Sequence, residues 1–208
     1  MSNDNNDYHD FVFADGRFVG KFDEMYQKVD DPWPETEVDL QNNVIASYGL
    51  KLIEKNKLNN LFFVGLGKGR HANWVKKNIP SVQLEGCEVS RTAVDYCQKH
   101  YPDIINHYAN AKEFLTNADV IFDVIVFREV LWYILTDWEE IVTSLFKKHK
   151  GKYILIEVST YDDQKYGRNV FDGPNGIIEN FPFDIIEIVR HHVDENQKRG
   201  MILIFGKI

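Results

Sequence analysis

The sequence predicts a doubly wound α/β domain, a mostly parallel sheet with helices on both faces that ends in an antiparallel hairpin. Three observations carry this reading. From residue 58 onward, short aliphatic runs alternate with helical patterns, and successive βα units build parallel sheets covered by helices. The first run breaks into a glycine loop, Val64-Gly65-Leu66-Gly67-Lys68-Gly69-Arg70. The last two strand-like runs, 183–193 and 201–205, are joined only by residues 194–200, too few for a crossover helix, so they must pair antiparallel.

Taken in order, residues 1–57 read as an N-terminal extension and residues 58–208 as the domain proper. The first seven residues are polar and Asp/Asn-rich, a composition of disorder. A short helix is expected near Phe22–Lys28, then an acidic turn Asp30-Asp31-Pro32-Trp33-Pro34. A longer helix follows, with Val44, Ile45, Tyr48 and Leu52 on one face. Strands are expected at 61–64, 82–87, 104–108, 122–127 and 153–156. Ser90 reads as the cap of a helix running to His100. Thr136-Asp137-Trp138-Glu139 fits a capping box ahead of a stripe of Trp138, Ile141, Val142 and Leu145.

The chain's 208 residues suffice for one domain with its own core. Its 24 Lys and Arg stand against 32 Asp and Glu, a net charge of −8, which disfavours a nucleic-acid partner that binds through its phosphates. Cys87 and Cys97 form no disulfide framework and read as buried side chains in a reducing cytosol, hence a cytoplasmic protein. No secretory leader or membrane-length apolar run is visible. No His, Cys and Asp group has metal-ligand spacing, so no metal is expected.

The glycine loop follows a strand and precedes a helix, where backbone can turn sharply and approach a ligand beside helix N–H groups. Its glycines stand at 65, 67 and 69. A dinucleotide fingerprint needs a third glycine at position 70, which is Arg, and a phosphate-binding Walker loop needs Lys-Ser/Thr after Gly69, where Arg70-His71 stands. Glu88 ends the second strand beside this loop and is placed to take the two hydroxyls of a ribose, with Glu85 the weaker choice inside the strand. Asn110 and Ala111, after the third strand, could meet an adenine edge. They also fit a helix cap, and the two roles are compatible.

Together these segments resemble the class I S-adenosylmethionine methyltransferases. Residues 61–69 resemble that family's first motif, 82–90 its acidic strand end, 108–111 its adenine segment and 122–134 its fourth strand and following loop. Within it, Phe22-Asp23-Glu24-Met25-Tyr26 with Asp31-Pro32-Trp33, the 129–133 stretch, and Tyr166-Gly167-Arg168 resemble the nodulation protein S-like branch, which N-methylates an amino sugar of a chito-oligosaccharide. The resemblance implies a Rossmann-like fold, S-adenosylmethionine as cofactor, and a small-molecule or saccharide acceptor. Three positions depart from the family pattern. Phe63 replaces the acid two residues before the first glycine, Lys150-Gly151 lacks the proline before the fifth strand, and Asn110 replaces the usual Asp.

Ligands bind such sheets at the carboxyl ends of the strands. The expected cofactor residues are therefore Gly65, Gly67, Gly69, Glu88, Asn110, Ala111 and Arg128. Glu129 and Tyr133 are the catalytic candidates, and Tyr26, Trp33 and His192 the acceptor side. Adjacent His191 and His192 point to opposite strand faces, so at most one can reach a given site. His71, just after the glycine loop, is expected to be solvated. All cofactor motifs lie beyond residue 58, which assigns the extension to the acceptor side. Three functions share these motifs: methyl transfer to O or N of a sugar or other small molecule, methylation of a protein or peptide, and a non-catalytic cofactor-binding relic.

Overall fold

The computed structural model describes residues 9–14, 17–33, 36–162, 164–192 and 199–208. The expected disorder of the first seven residues, Pro34 of the acidic turn and the last residue of the predicted 183–193 strand lie outside these.

Seven strands form one sheet: β1 (Asn60–Val64), β2 (Gln83–Glu88), β3 (Ile104–Tyr108), β4 (Val124–Arg128), β5 (Tyr153–Tyr161), β6 (Asp184–His192) and β7 (Arg199–Lys207). Their spatial order is β3-β2-β1-β4-β5-β7-β6, with the first five parallel and β7 antiparallel to both β5 and β6. The order reverses between β1 and β4, which opens a crevice at their carboxyl ends. Both faces of β1 and β4 are covered: Phe62, Val64, Ile125 and Phe127 bury into one core, Leu61, Phe63, Val124 and Val126 into the other. Strands buried on two faces read as continuous apolar runs, as these do.

The extension supplies a helical turn His9–Val12, the paired strands Phe13–Ala14 and Arg17–Phe18, and helices α1 (Phe22–Lys28), α2 (Glu37–Asn42) and α3 (Val44–Lys55). The remaining helices are α4 (Arg70–Asn78), α5 (Arg91–His100), α6 (Ala111–Asn117), α7 (Trp138–Lys148) and α8 (Gly173–Glu179). No described helix is long and apolar enough to cross a membrane.

Three local readings change. The fourth strand begins at Val124, because Asp123 turns aside to accept from the backbone N–H groups of Asn59 and Asn60, each at 2.9 Å. Thr136 forms no capping box. It lies within a short 3-10 turn (Leu135–Asp137), and the α7 cap, Asp137, makes no side-chain cap bond while its carboxylate meets Lys112 Nζ at 2.8 Å. On α3 the buried face is Ile45, Gly49, Leu52 and Ile53, with Val44 exposed at the helix start. Gly49 is there because any Cβ would strike the Glu157 carboxylate.

Candidate functional site

The cavity at the switch point has a volume of about 750 Å³. Its floor is the turn after β1. Gly65, Gly67 and Gly69 all have positive φ, from 56° to 81°, a region side chains rarely adopt. At Gly67 space is limiting as well, since a Cβ would stand 2.9 Å from the Tyr26 hydroxyl. Gly69 in the left-handed region starts α4.

Glu88 is buried at the end of β2 and ties this turn to the next helix. Its carboxylate accepts from Gly67 N–H at 2.8 Å and from Ser90 N–H at 2.9 Å. Burial pushes its pKa up, opposed by these backbone donors. A carboxylate offers about four lone-pair sites, so roughly two remain for a ligand after two backbone bonds. Glu85 points elsewhere and meets His107 Nε2 at 2.8 Å.

Asn110 caps α6, its Oδ1 accepting from the N–H of Lys112 at 2.9 Å and Glu113 at 3.3 Å. It lines the cavity together with Ala111.

Beyond β4 the chain turns sharply. Glu129 has φ 53°, one of two described non-glycine residues with positive φ. An outlier of this kind costs on the order of 1–3 kcal/mol and must be held by its surroundings. Here Glu129 N–H donates to Glu157 O at 2.8 Å, and the Glu129 carboxylate accepts from Ser159 N–H at 3.0 Å and Ser159 Oγ–H at 2.9 Å. Arg128 pairs with Glu157 at 2.5 Å, the two side chains being 9% and 1% exposed. Arg128, Glu129 and Tyr133 all line the cavity.

The extension closes the other side with an aromatic wall. Phe18 stacks on Tyr133 with centroids 6.0 Å apart, Phe22 meets Tyr133 edge-on at 5.2 Å, and Trp33 packs on Tyr26 at 5.6 Å. Phe18, Phe22, Tyr26, Trp33 and Tyr133 all face the cavity. Burial, with Glu88 second, raises the Tyr26 phenol well above its ordinary value.

The extension also reaches the cofactor motifs, which their positions in the chain do not foretell. Lys68 in the glycine loop donates to the Asp30 carbonyl and lies 3.8 Å from its carboxylate, and Arg70 pairs with Asp31. Asp23 accepts from Ser90 Oγ and from Thr92 N–H, each at 2.8 Å. The Asp31 carboxylate is thus engaged with Arg70, while Asp30 meets Lys68 mainly through its main-chain carbonyl.

Two histidine expectations are corrected. His192 is exposed at the end of edge strand β6 and does not line the cavity, because β7 lies between β6 and β5. His71 is not solvated. Its ring nitrogens are buried and it lines the cavity, because α4 turns that face onto the sheet alongside Trp74 and Val75. The spacing of His71, Trp74 and Val75 was the signal that could have placed it.

Residues 63–155 match the family model described as "Methyltransferase domain". Over those residues the chain is similar to a methyltransferase domain. No curated protein matches the chain by sequence. Among solved structures it is similar to the N-methyltransferase NodS from Bradyrhizobium japonicum WM9, at 16% identity and a TM-score of 0.56 over 77% of this chain and 92% of that one. The plantazolicin methyltransferase BpumL, solved with a pentazolic desmethylPZN analogue and S-adenosylhomocysteine (SAH), matches at 14% identity and a TM-score of 0.60 over 97% and 95%. The geranyl diphosphate C-methyltransferase from Streptomyces coelicolor A3(2) matches at 10% identity and a TM-score of 0.56 over 82% and 83%. At these identities the likeness is one of fold.

Proposed function

We propose that the protein transfers a methyl group from S-adenosylmethionine to an O or N atom of a small acceptor, with a sugar or glycan precursor as the favoured class and the cytoplasm as its setting. The carrying observation is a single cavity in which the glycine turn and Glu88 face an aromatic wall across the Arg128–Glu129 turn. Aromatic faces suit the apolar faces of sugar rings. The net charge of −8 supports an acceptor other than nucleic acid.

In this reading Gly65, Gly67 and Gly69 let the cofactor approach the backbone, Glu88 takes the ribose hydroxyls, Asn110 and Ala111 meet the adenine edge, and Arg128 holds the carboxylate of the methionine end. The cofactor supplies an activated methyl on a sulfonium. The chain's contribution is then alignment and exclusion of water, for which effective-molarity effects reach roughly 7–11 kcal/mol in favourable cases. Tyr133 walls the transfer pocket. Glu129, held rigid by Ser159, positions the acceptor and can take a proton from a hydroxyl or ammonium group. Residues 1–57 act as the acceptor-side lid over the 58–208 domain, and Tyr26 extends that lid over the glycine turn.

A protein or peptide acceptor is the second reading, for which the net charge of −8 would suit a basic peptide. Incubation with S-adenosylmethionine and panels of amino sugars, oligosaccharides, amines and peptides, read by product mass, tests both. A gain of one methyl on a saccharide supports the first reading. Methylation of peptides alone overturns it in favour of the second.

A further inference from the structure

The cavity wall beside Arg128 holds an imidazole that nothing in the described structure binds. His71 is the second residue of α4 and faces the cavity. Both of its ring nitrogens are shielded from solvent, and neither has a hydrogen-bond partner among the described residues. The ring stacks on Trp74 with centroids 5.6 Å apart and meets Phe63 edge-on at 5.9 Å, so its plane is fixed by packing. Burial, reinforced by the charge of Arg128, holds the imidazole well below its ordinary pKa. A neutral ring offers one N–H donor and one bare nitrogen acceptor. Burying both without a partner is costly unless a ligand completes them.

The neighbours restrict what that ligand can be. Arg128 meets the Glu157 carboxylate at 2.5 Å and, with five N–H donors, can serve a second carboxylate; the Glu129 carboxylate, which accepts from the Ser159 N–H and hydroxyl, is given to the acceptor in the reading above. Position 63, where β1 runs into the turn, is an apolar Phe without an acceptor. An amino-acid zwitterion at this end of the cavity finds donors for its carboxylate in Arg128 and in the first N–H groups of α4. Its ammonium has only donors and needs an acceptor. The bare nitrogen of His71 is an acceptor on that wall with no competing partner.

We propose that His71 is a binding residue for the methionine end of the cofactor, its bare ring nitrogen accepting a hydrogen bond from the α-ammonium group. The inference rests on the methyltransferase reading above and adds a residue to that same site.

The test uses the full chain with 15N-labelled histidine, the His71 signal being identified by its loss in His71→Gln. Titration with SAH should shift the His71 ring-nitrogen resonance. Titration with 5′-methylthioadenosine, which lacks the amino-acid end, should leave it in place, and deaminated SAH should behave like the thioadenosine. In calorimetry, His71→Phe, which keeps a flat ring between Trp74 and Phe63, should lose about tenfold in SAH affinity, the scale of one hydrogen bond. Its affinity for methylthioadenosine should stay within about twofold. Binding of SAH to the wild-type chain with an unmoved His71 resonance overturns this inference alone. Equal weakening of both ligands by His71→Phe overturns it too. Failure of the wild-type chain to bind SAH at all overturns it together with the methyltransferase reading.

Discussion

Replacing Glu88 with alanine should separate ligand binding from folding, because its carboxylate has two sets of partners. It is buried and accepts from Gly67 and Ser90 N–H groups at 2.8 and 2.9 Å. About two of its four lone-pair sites remain for the ribose hydroxyls, and hydrogen bonds to a charged group are worth about 1.5–3 kcal/mol. Glu88→Ala should therefore weaken SAH binding by roughly ten- to a hundredfold. The two orphaned backbone donors should each cost on the order of 1–3 kcal/mol of stability, offset by removal of a carboxylate that burial penalises. The assays are a calorimetric titration with SAH and a urea unfolding curve. Glu88→Gln keeps one acceptor oxygen and should fall between wild type and alanine in affinity. A folded Glu88→Ala chain with unchanged SAH affinity would refute the ribose role.

Other perturbations test the neighbouring parts. Glu157→Gln leaves the Arg128 guanidinium, 9% exposed, without its buried counter-charge, and should cost about 3–5 kcal/mol in urea unfolding; a loss below about 1 kcal/mol would remove that pair from the account. Trp33→Ala or Phe22→Ala should lower turnover while leaving SAH affinity within about twofold, since both belong to the aromatic wall; a fall in SAH affinity with unchanged turnover would contradict the acceptor-side assignment. Stability should also depend on pH through the buried histidines. Burial depresses the folded-state pKa of His71 and His149 below the ordinary 6.5, so the folded chain binds fewer protons than the unfolded one below that pH. Their contribution is full above pH 6.5 and is lost as pH falls toward the folded-state values, by up to about 1.4 kcal/mol per pH unit for each ring. His71→Phe should flatten that slope in melts between pH 5.5 and 6.5, and an unchanged slope would contradict the burial of its ring.

The parts of this molecule that sequence reading could reach are those with a local period or a fixed chain order. The β1 run, the glycine turn and Glu88 follow one another within a single βα unit and its successor, and the hairpin of β6 and β7 follows from the short link between them. Contacts across the fold left no such trace. Asp31 meets Arg70, and Asp23 meets Ser90 and Thr92, 67 and 69 residues away along the chain. These contacts bind the extension to the glycine turn, which the position of the motifs alone assigned elsewhere. His192 was misplaced because strand alternation gives a side chain's face but not its strand's place in the sheet. Thr136 forms no box because the helix starts one residue later than the pattern suggests, which leaves Thr136 inside the preceding 3-10 turn and Asp137 at the cap position. Asn110 was legible as a helix cap because its Oδ1 takes the N–H groups two and three residues on.

The central claim is that the cavity after β1 is an S-adenosylmethionine site, and one calorimetric experiment bears on it most directly. The purified full chain is titrated in parallel with SAH and with NAD. The positive-φ turn at Gly65, Gly67 and Gly69, without a glycine at position 70, predicts binding of SAH at one site per chain and no heat from NAD. Binding of NAD with none of SAH would contradict the claim.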